Sequence, residues 1–177
     1  MARVSLIEEK DYPDLSQLID RIRGGRANLL NLYKVLLRSP DVAGAWFDYS
    51  NAVRRKTKLD GRIREIAIIR IGILNRAEYV IRQHVPALAI EAGLTREQCD
   101  ALIDWPNSAL FDDRERAALA CTDAMTRDIR VPDAVHAELR RHFREREIVE
   151  LTVVIGMYNM HSRVLEALEI DLEPAGS

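Results

Sequence analysis

From Ile66 to Leu74 the chain carries only one polar side chain, Arg70. A helix apolar on nearly every face must be covered on nearly every face, so this block predicts a buried central helix. Glu65 stands directly before it and His84 ten residues beyond its end. A carboxylate, a guanidinium and an imidazole around a buried block either satisfy one another or line a site.

The rest of the chain is patterned for helices that could surround such a segment. Strict period-two alternation is absent. A first helix is expected from Asp14 to the stop Gly24-Gly25, a second over "ANLLNLYKVLL", and a third from Ser39-Pro40-Asp41 through "VAGAWFDYSNAVRRK". Asp60 caps the fourth, from about Arg62 to Asn75. A fifth runs from Ala77 to Ala92 with Gly93 as its stop, and Pro86 should kink it beside His84. Thr95 with Gln98, and Asp112 with Glu115, read as capping boxes for the sixth and seventh, with "WPNSALFDD" as a loop between them. Pro132-Asp133 opens an eighth, and a ninth, again largely apolar, begins near Arg146. No linker rich in Gly, Ser or Pro divides residues 1–177. The expectation is therefore one all-α domain, a bundle of about nine helices. "REIAIIRIGILN" (64–75) echoes "REIVELTVVIGMYN" (146–159), which suits two buried helices with similar needs better than a duplication.

Charge narrows the partners. With 26 basic and 28 acidic residues the net charge is −2, which gives no reason to expect nucleic acid or an anionic membrane. Arg54, Arg55, Lys56 and Lys58 read as a solvated helix end rather than a phosphate-binding patch. No run of 18 apolar residues could span a membrane, and the N-terminus lacks a secretion signal. Cys99 and Cys121 fit neither a redox pair nor a metal-ligand spacing, so they are expected as free thiols of a cytoplasmic protein. His136, His142 and His161 form no metal-binding pattern, and no Gly-rich phosphate loop or nucleophile elbow is present. No cofactor and no metal are expected.

Three residues remain as candidates on chemical grounds. Glu65 suits the first turn of a helix through the dipole alone. Arg70 needs acceptors wherever it is buried, which leaves a structural ion pair and an anionic-substrate contact both open. His84 adjoins the Pro86 kink, where it can serve the freed backbone or face a hollow. Helices four and five joined by the short Asn75-Arg76 connection should pack antiparallel, which would bring Glu65 to His84.

The stretches "NLYKVLLRSPDVAGAW", "RIREIAIIRIGIL", "AEYVIRQHVPALAIEAGLTREQCDAL" and "EREIVELTVVIGMYN" resemble the carboxymuconolactone decarboxylase and alkylhydroperoxidase D group over most of the chain. Its central signature is a Glu at a helix start and a His nineteen residues later, as in Glu65 and His84. The resemblance implies an all-α fold of helical hairpins, assembled as a homotrimer or homohexamer. Redox members carry a CxxC ending four residues before the His. Here those positions hold Ala77 and Val80, so no thiolate can attack a peroxide. Decarboxylase-like members often read Tyr-Glu-Trp on the way to the His. Here Tyr79 is kept, while Val80 and Ile81 stand in place of Glu and Trp. The resulting expectation is a cofactor-independent lyase for a small carboxylated lactone or related carbonyl acid, with Glu65, His84 and Tyr79 catalytic and Arg70 binding substrate. The rival expectation is a scaffold or small-molecule-binding member that kept the fold and lost catalysis.

Overall fold

The computed structural model describes residues 2–24 and 28–174. Gly25 and Ala27, expected at a helix stop and a helix start, lie outside the described residues. Among those described, the secondary structure is entirely helical. Two compact groups of contacts divide the chain, residues 1–55 with 164–177 and residues 56–163.

In the first group, helices α1 (Ser16–Arg23), α2 (Asn31–Leu36) and α3 (Pro40–Arg55) follow two short 3-10 turns. Pro13 opens the second of these turns, so α1 starts two residues later than expected. Gly24, with φ of 56°, closes α1 in the left-handed region, where glycine carries no Cβ penalty. Ile7, Ile19, Ile22, Leu29, Tyr33, Leu37 and Ala43 form its core.

The second group holds the central helix α4 (Gly61–Asn75), then α5 (Glu78–His84), α6 (Leu88–Glu91), α7 (Arg96–Ala101), a 3-10 segment (Leu102–Asn107), α8 (Asp113–Asp128), α9 (Asp133–His142) and most of α10 (Glu145–Ala167). The Asp60 side chain accepts from the N–H groups of Arg62 and Ile63 and starts α4. Both expected capping boxes are present, Thr95 with Gln98 and Asp112 with Glu115. As its composition demands, α4 is buried on nearly every face, from Ile66 to Gly72 without a break. Arg76, with φ of 56°, reverses the chain at its end.

Two sequence expectations are corrected. The fifth helix is broken rather than kinked. Pro86 offers no N–H to the ladder, Ala87 leaves the helical region (φ −130°, ψ −59°), and α6 starts afresh at Leu88. His84 is thereby the last residue of α5. The segment around Trp105 is not all loop, because Leu102–Asn107 winds as a 3-10 helix whose first two carbonyls receive Arg70.

One glycine sets the approach of α5 to α4. A Cβ built on Gly72 would lie 2.9 Å from Ile81 Cγ1 and 3.5 Å from Val80 Cβ. A branched side chain near its own backbone cannot swing away from such a clash, so the two helices touch this closely only because residue 72 has no side chain.

Candidate active site

The hairpin of α4 and α5 brings Glu65 and His84 into direct contact. His84 Nδ1 lies 2.6 Å from Glu65 Oε2. The pairs 65 with 84 and 72 with 81 run in opposite order along the two helices, which is the antiparallel arrangement a two-residue connection enforces. Both residues are buried, Glu65 with 2% and His84 with 4% of its surface exposed. The second carboxylate oxygen, Oε1, lies 3.5 Å from Arg64 Nε, which keeps a positive charge beside the acid.

The other ring nitrogen is engaged by a residue the sequence did not single out. Tyr158 on α10 places its hydroxyl 3.1 Å from His84 Nε2. The two rings meet edge-to-face at 5.2 Å, and His161 packs on Tyr158 at 5.0 Å in the same manner. Tyr158 and His161 are both buried. Seventy-four residues separate Tyr158 from His84. No spacing rule links them, and the only signal was a phenol inside an otherwise apolar run.

Tyr79 is buried on α5 five residues before His84. Five helical residues rotate a side chain about 140° from the face of the imidazole. The phenol that meets Nε2 is that of Tyr158.

The expectation placed on Arg70 is corrected. It is not brought to the pair. Its Nε and Nη2 donate to the two oxygens of Asp123 at 2.6 and 2.7 Å, and Nη1 donates to the carbonyls of Leu102 and Ile103 at 2.8 and 3.0 Å. A guanidinium has five N–H donors, and four are spent here inside the fold, with the side chain 4% exposed. Trp105 Nε1 and Arg127 add to the same carboxylate at 3.4 and 3.5 Å. Arg70 clamps the 3-10 segment and α8 onto α4 and has no fork left for an anionic substrate.

Chemically, the arrangement is a carboxylate–imidazole–phenol relay in a desolvated interior. An ionised Glu65 accepts from Nδ1–H in either charge state of the ring, which fixes its orientation. The two states differ at Nε2. The neutral ring accepts the phenol proton there, and the protonated ring donates to the phenol oxygen instead. Among the described residues no group of three or more His, Cys, Asp or Glu is placed to hold a metal ion. Cys99 and Cys121 are buried free thiols, and burial pushes Cys121 up to about 11, far from a thiolate at neutral pH. Replacing both with Ser is expected to leave any activity intact. A peroxidase activity that disappeared in the double variant would contradict this.

The sequence pattern of the carboxymuconolactone decarboxylase family matches residues 40–124, which hold both Glu65 and His84. Over these residues the chain is similar to the carboxymuconolactone decarboxylase family. An uncharacterized protein of Escherichia coli (strain K12), YnjA, is 30% identical over 118 residues, 66% of this chain and 64% of that protein. The alignment thus spans less than two thirds of that relative. A protein of unknown function from Agrobacterium tumefaciens, provisionally assigned to antioxidant defence as an AhpD, is 27% identical over 78% of this chain and 95% of its own, with a TM-score of 0.73. The debrominase Bmp8, as a cysteine-to-alanine variant with 2,3,4-tribromopyrrole, superposes with a TM-score of 0.82 over 97% of this chain and 92% of its own at 19% identity. At that identity the likeness speaks for the all-α fold alone. Among the described residues, no helix is long and apolar enough to cross a membrane.

Proposed function

We propose that this chain is a cofactor-independent lyase that decarboxylates a small carboxylated lactone or related carbonyl acid. The observation that carries the proposal is the buried relay Glu65–His84–Tyr158, with 2.6 and 3.1 Å between its members. Such a substrate loses CO2 with its bonding electrons delocalised toward the lactone carbonyl, and the resulting carbanion equivalent needs one proton. With His84 protonated, Tyr158 delivers its O–H proton to that carbon and takes the Nε2 proton in return. Glu65 holds the ring throughout, and solvent reprotonates His84 once per turnover. Arg64, the cation beside Glu65, takes the anion-binding role that Arg70 cannot perform.

The relay differs from thiol chemistry on the same fold. A debrominase with this architecture has been studied as a cysteine variant, whereas the positions one and two turns before His84 here are Val80 and Ala77. The test is CO2 release from a panel of lactone and ring-cleavage acids. Tyr158→Phe, which removes one oxygen, is expected to lower kcat by roughly 10²–10⁴-fold with the melting temperature little changed. Undiminished turnover in that variant would remove Tyr158 from the mechanism.

The burial of all three relay members favours a second reading, a non-catalytic binding or scaffold protein in which they merely tie α4, α5 and α10 together. Absence of turnover by the unaltered chain over the whole panel would decide for it.

The same reading includes self-association. The interior covers α4, but α10 turns Val149 (61% exposed), Thr152, Gly156 and Met160 (37% exposed) outward. A second copy would cover this stripe in a homotrimer or homohexamer. Light scattering at micromolar concentration is expected to give a multiple of the 20.2 kDa chain. A monomer mass would rule the assembly out.

A further inference from the structure

Around the start of α10, Glu147 and Glu150 are engaged while two cations are not. Glu150 accepts from the N–H groups of Lys58 and Leu59 at 2.7 and 2.8 Å and from Arg146 Nε at 2.9 Å. Burial opposes its charge, yet these donors together hold its carboxyl below the ordinary value. Glu147 accepts from Arg114 at 3.0 Å and from the N–H of Arg144 at 2.9 Å. Arg114 in turn stacks on Phe143, with its guanidinium carbon 4.7 Å from the ring centre. These bonds fix the loop before α4 against the first turns of α10.

Between them lies a cleft of about 460 Å³ lined by Lys58, Arg144, Arg146 and Glu147. The ammonium of Lys58 and the guanidinium of Arg144 have no acceptor among the described residues. Read from sequence, Lys58 belonged to a solvated helix end. In the fold its backbone is clamped by Glu150, so its exposed charge stands at the wall of a concavity with two arginines.

We propose that this cleft binds a small polyanion carrying at least two phosphate or carboxylate groups. Its volume is that of a small-molecule site. Three cations line it against one acid, and that acid is already engaged. Arg144 presents a planar fork suited to a two-oxygen contact, and Lys58 a point charge suited to a second group. The pinned loop and helix pre-position these charges, which lowers the ordering cost of binding. Size and charge argue against a long polyanion such as nucleic acid, because the chain as a whole is net −2 and offers no extended basic field. None of the four lining residues belongs to the Glu65–His84–Tyr158 relay, so the proposal does not depend on the lyase reading.

The test is isothermal titration of the full chain with inorganic pyrophosphate and, separately, with citrate, at low and at moderate salt. One saturable site is expected, weakened by salt, and weakened at least about tenfold in Lys58→Ala/Arg144→Ala. The stronger of the two anions identifies the preferred group. Both side chains are exposed, so the double variant should keep its melting temperature, and His84→Gln should bind as the unaltered chain does. Absence of saturable binding for both anions, or equal affinity in the double variant, would overturn the proposal.

Discussion

Asp123→Ala is expected to be strongly destabilising, costing about 3–5 kcal/mol. It strands Arg70, 4% exposed, with only the carbonyls of Leu102 and Ile103 as acceptors. It also removes the shared acceptor of Trp105 and Arg127. A loss of that size is a large share of the stability of an ordinary domain. Urea unfolding measures it as a fall in midpoint at unchanged slope. The companion variant Arg70→Met/Asp123→Leu removes both charges together and should recover a substantial part of the loss, because no charge is then left unpaired. A single variant within about 1 kcal/mol of the parent would mean that water reaches the pair and that the clamp is not a clamp.

His84→Ala carries the other large expected effect. It leaves Glu65 and the Tyr158 hydroxyl facing a cavity, at a cost of roughly 1–3 kcal/mol. On any accepted substrate it should also abolish turnover, which separates the two readings of the site. A variant that is less stable but equally active would make the relay a structural bond. His84→Gln restores bulk and hydrogen bonding without a transferable proton. Under the lyase reading it should recover stability and not activity, and the reverse result would sink that reading.

The central hairpin was legible because its determinants are local. The apolar block fixes α4 as the buried helix, Asp60 fixes its start, and a two-residue connection leaves α5 little choice but to fold back. From these alone Glu65 and His84 are placed alongside each other, and the capping boxes at Thr95 and Asp112 follow from chemistry three residues apart. What was not legible depends on partners distant in sequence. Arg70 announced that it needed a carboxylate, but Asp123 lies 53 residues away among other acids of α8. Tyr158 is one phenol in a helix whose apolar residues face several ways, and nothing in its neighbourhood marks it as the residue that meets an imidazole. The break after His84 was underestimated for a related reason. A proline predicts a lost hydrogen bond, but whether the helix bends or ends depends on the packing around it.

The missing methyl at Gly72 acts as a key that sets the register of the hairpin. Seven residues, about 10 Å along the axis, separate it from Glu65. The acid–imidazole bond has a tolerance of a few tenths of an ångström, and a sideways shift of α5 of that order would break it. The distance across which a proton would move is therefore governed from two helical turns away, by an atom that is not there. Positions 72 and 81 share one fixed volume, so whatever one gains the other must give up. A wider side chain at 81, such as the tryptophan that decarboxylase-like members often carry there, would have to find its room elsewhere or reset the site.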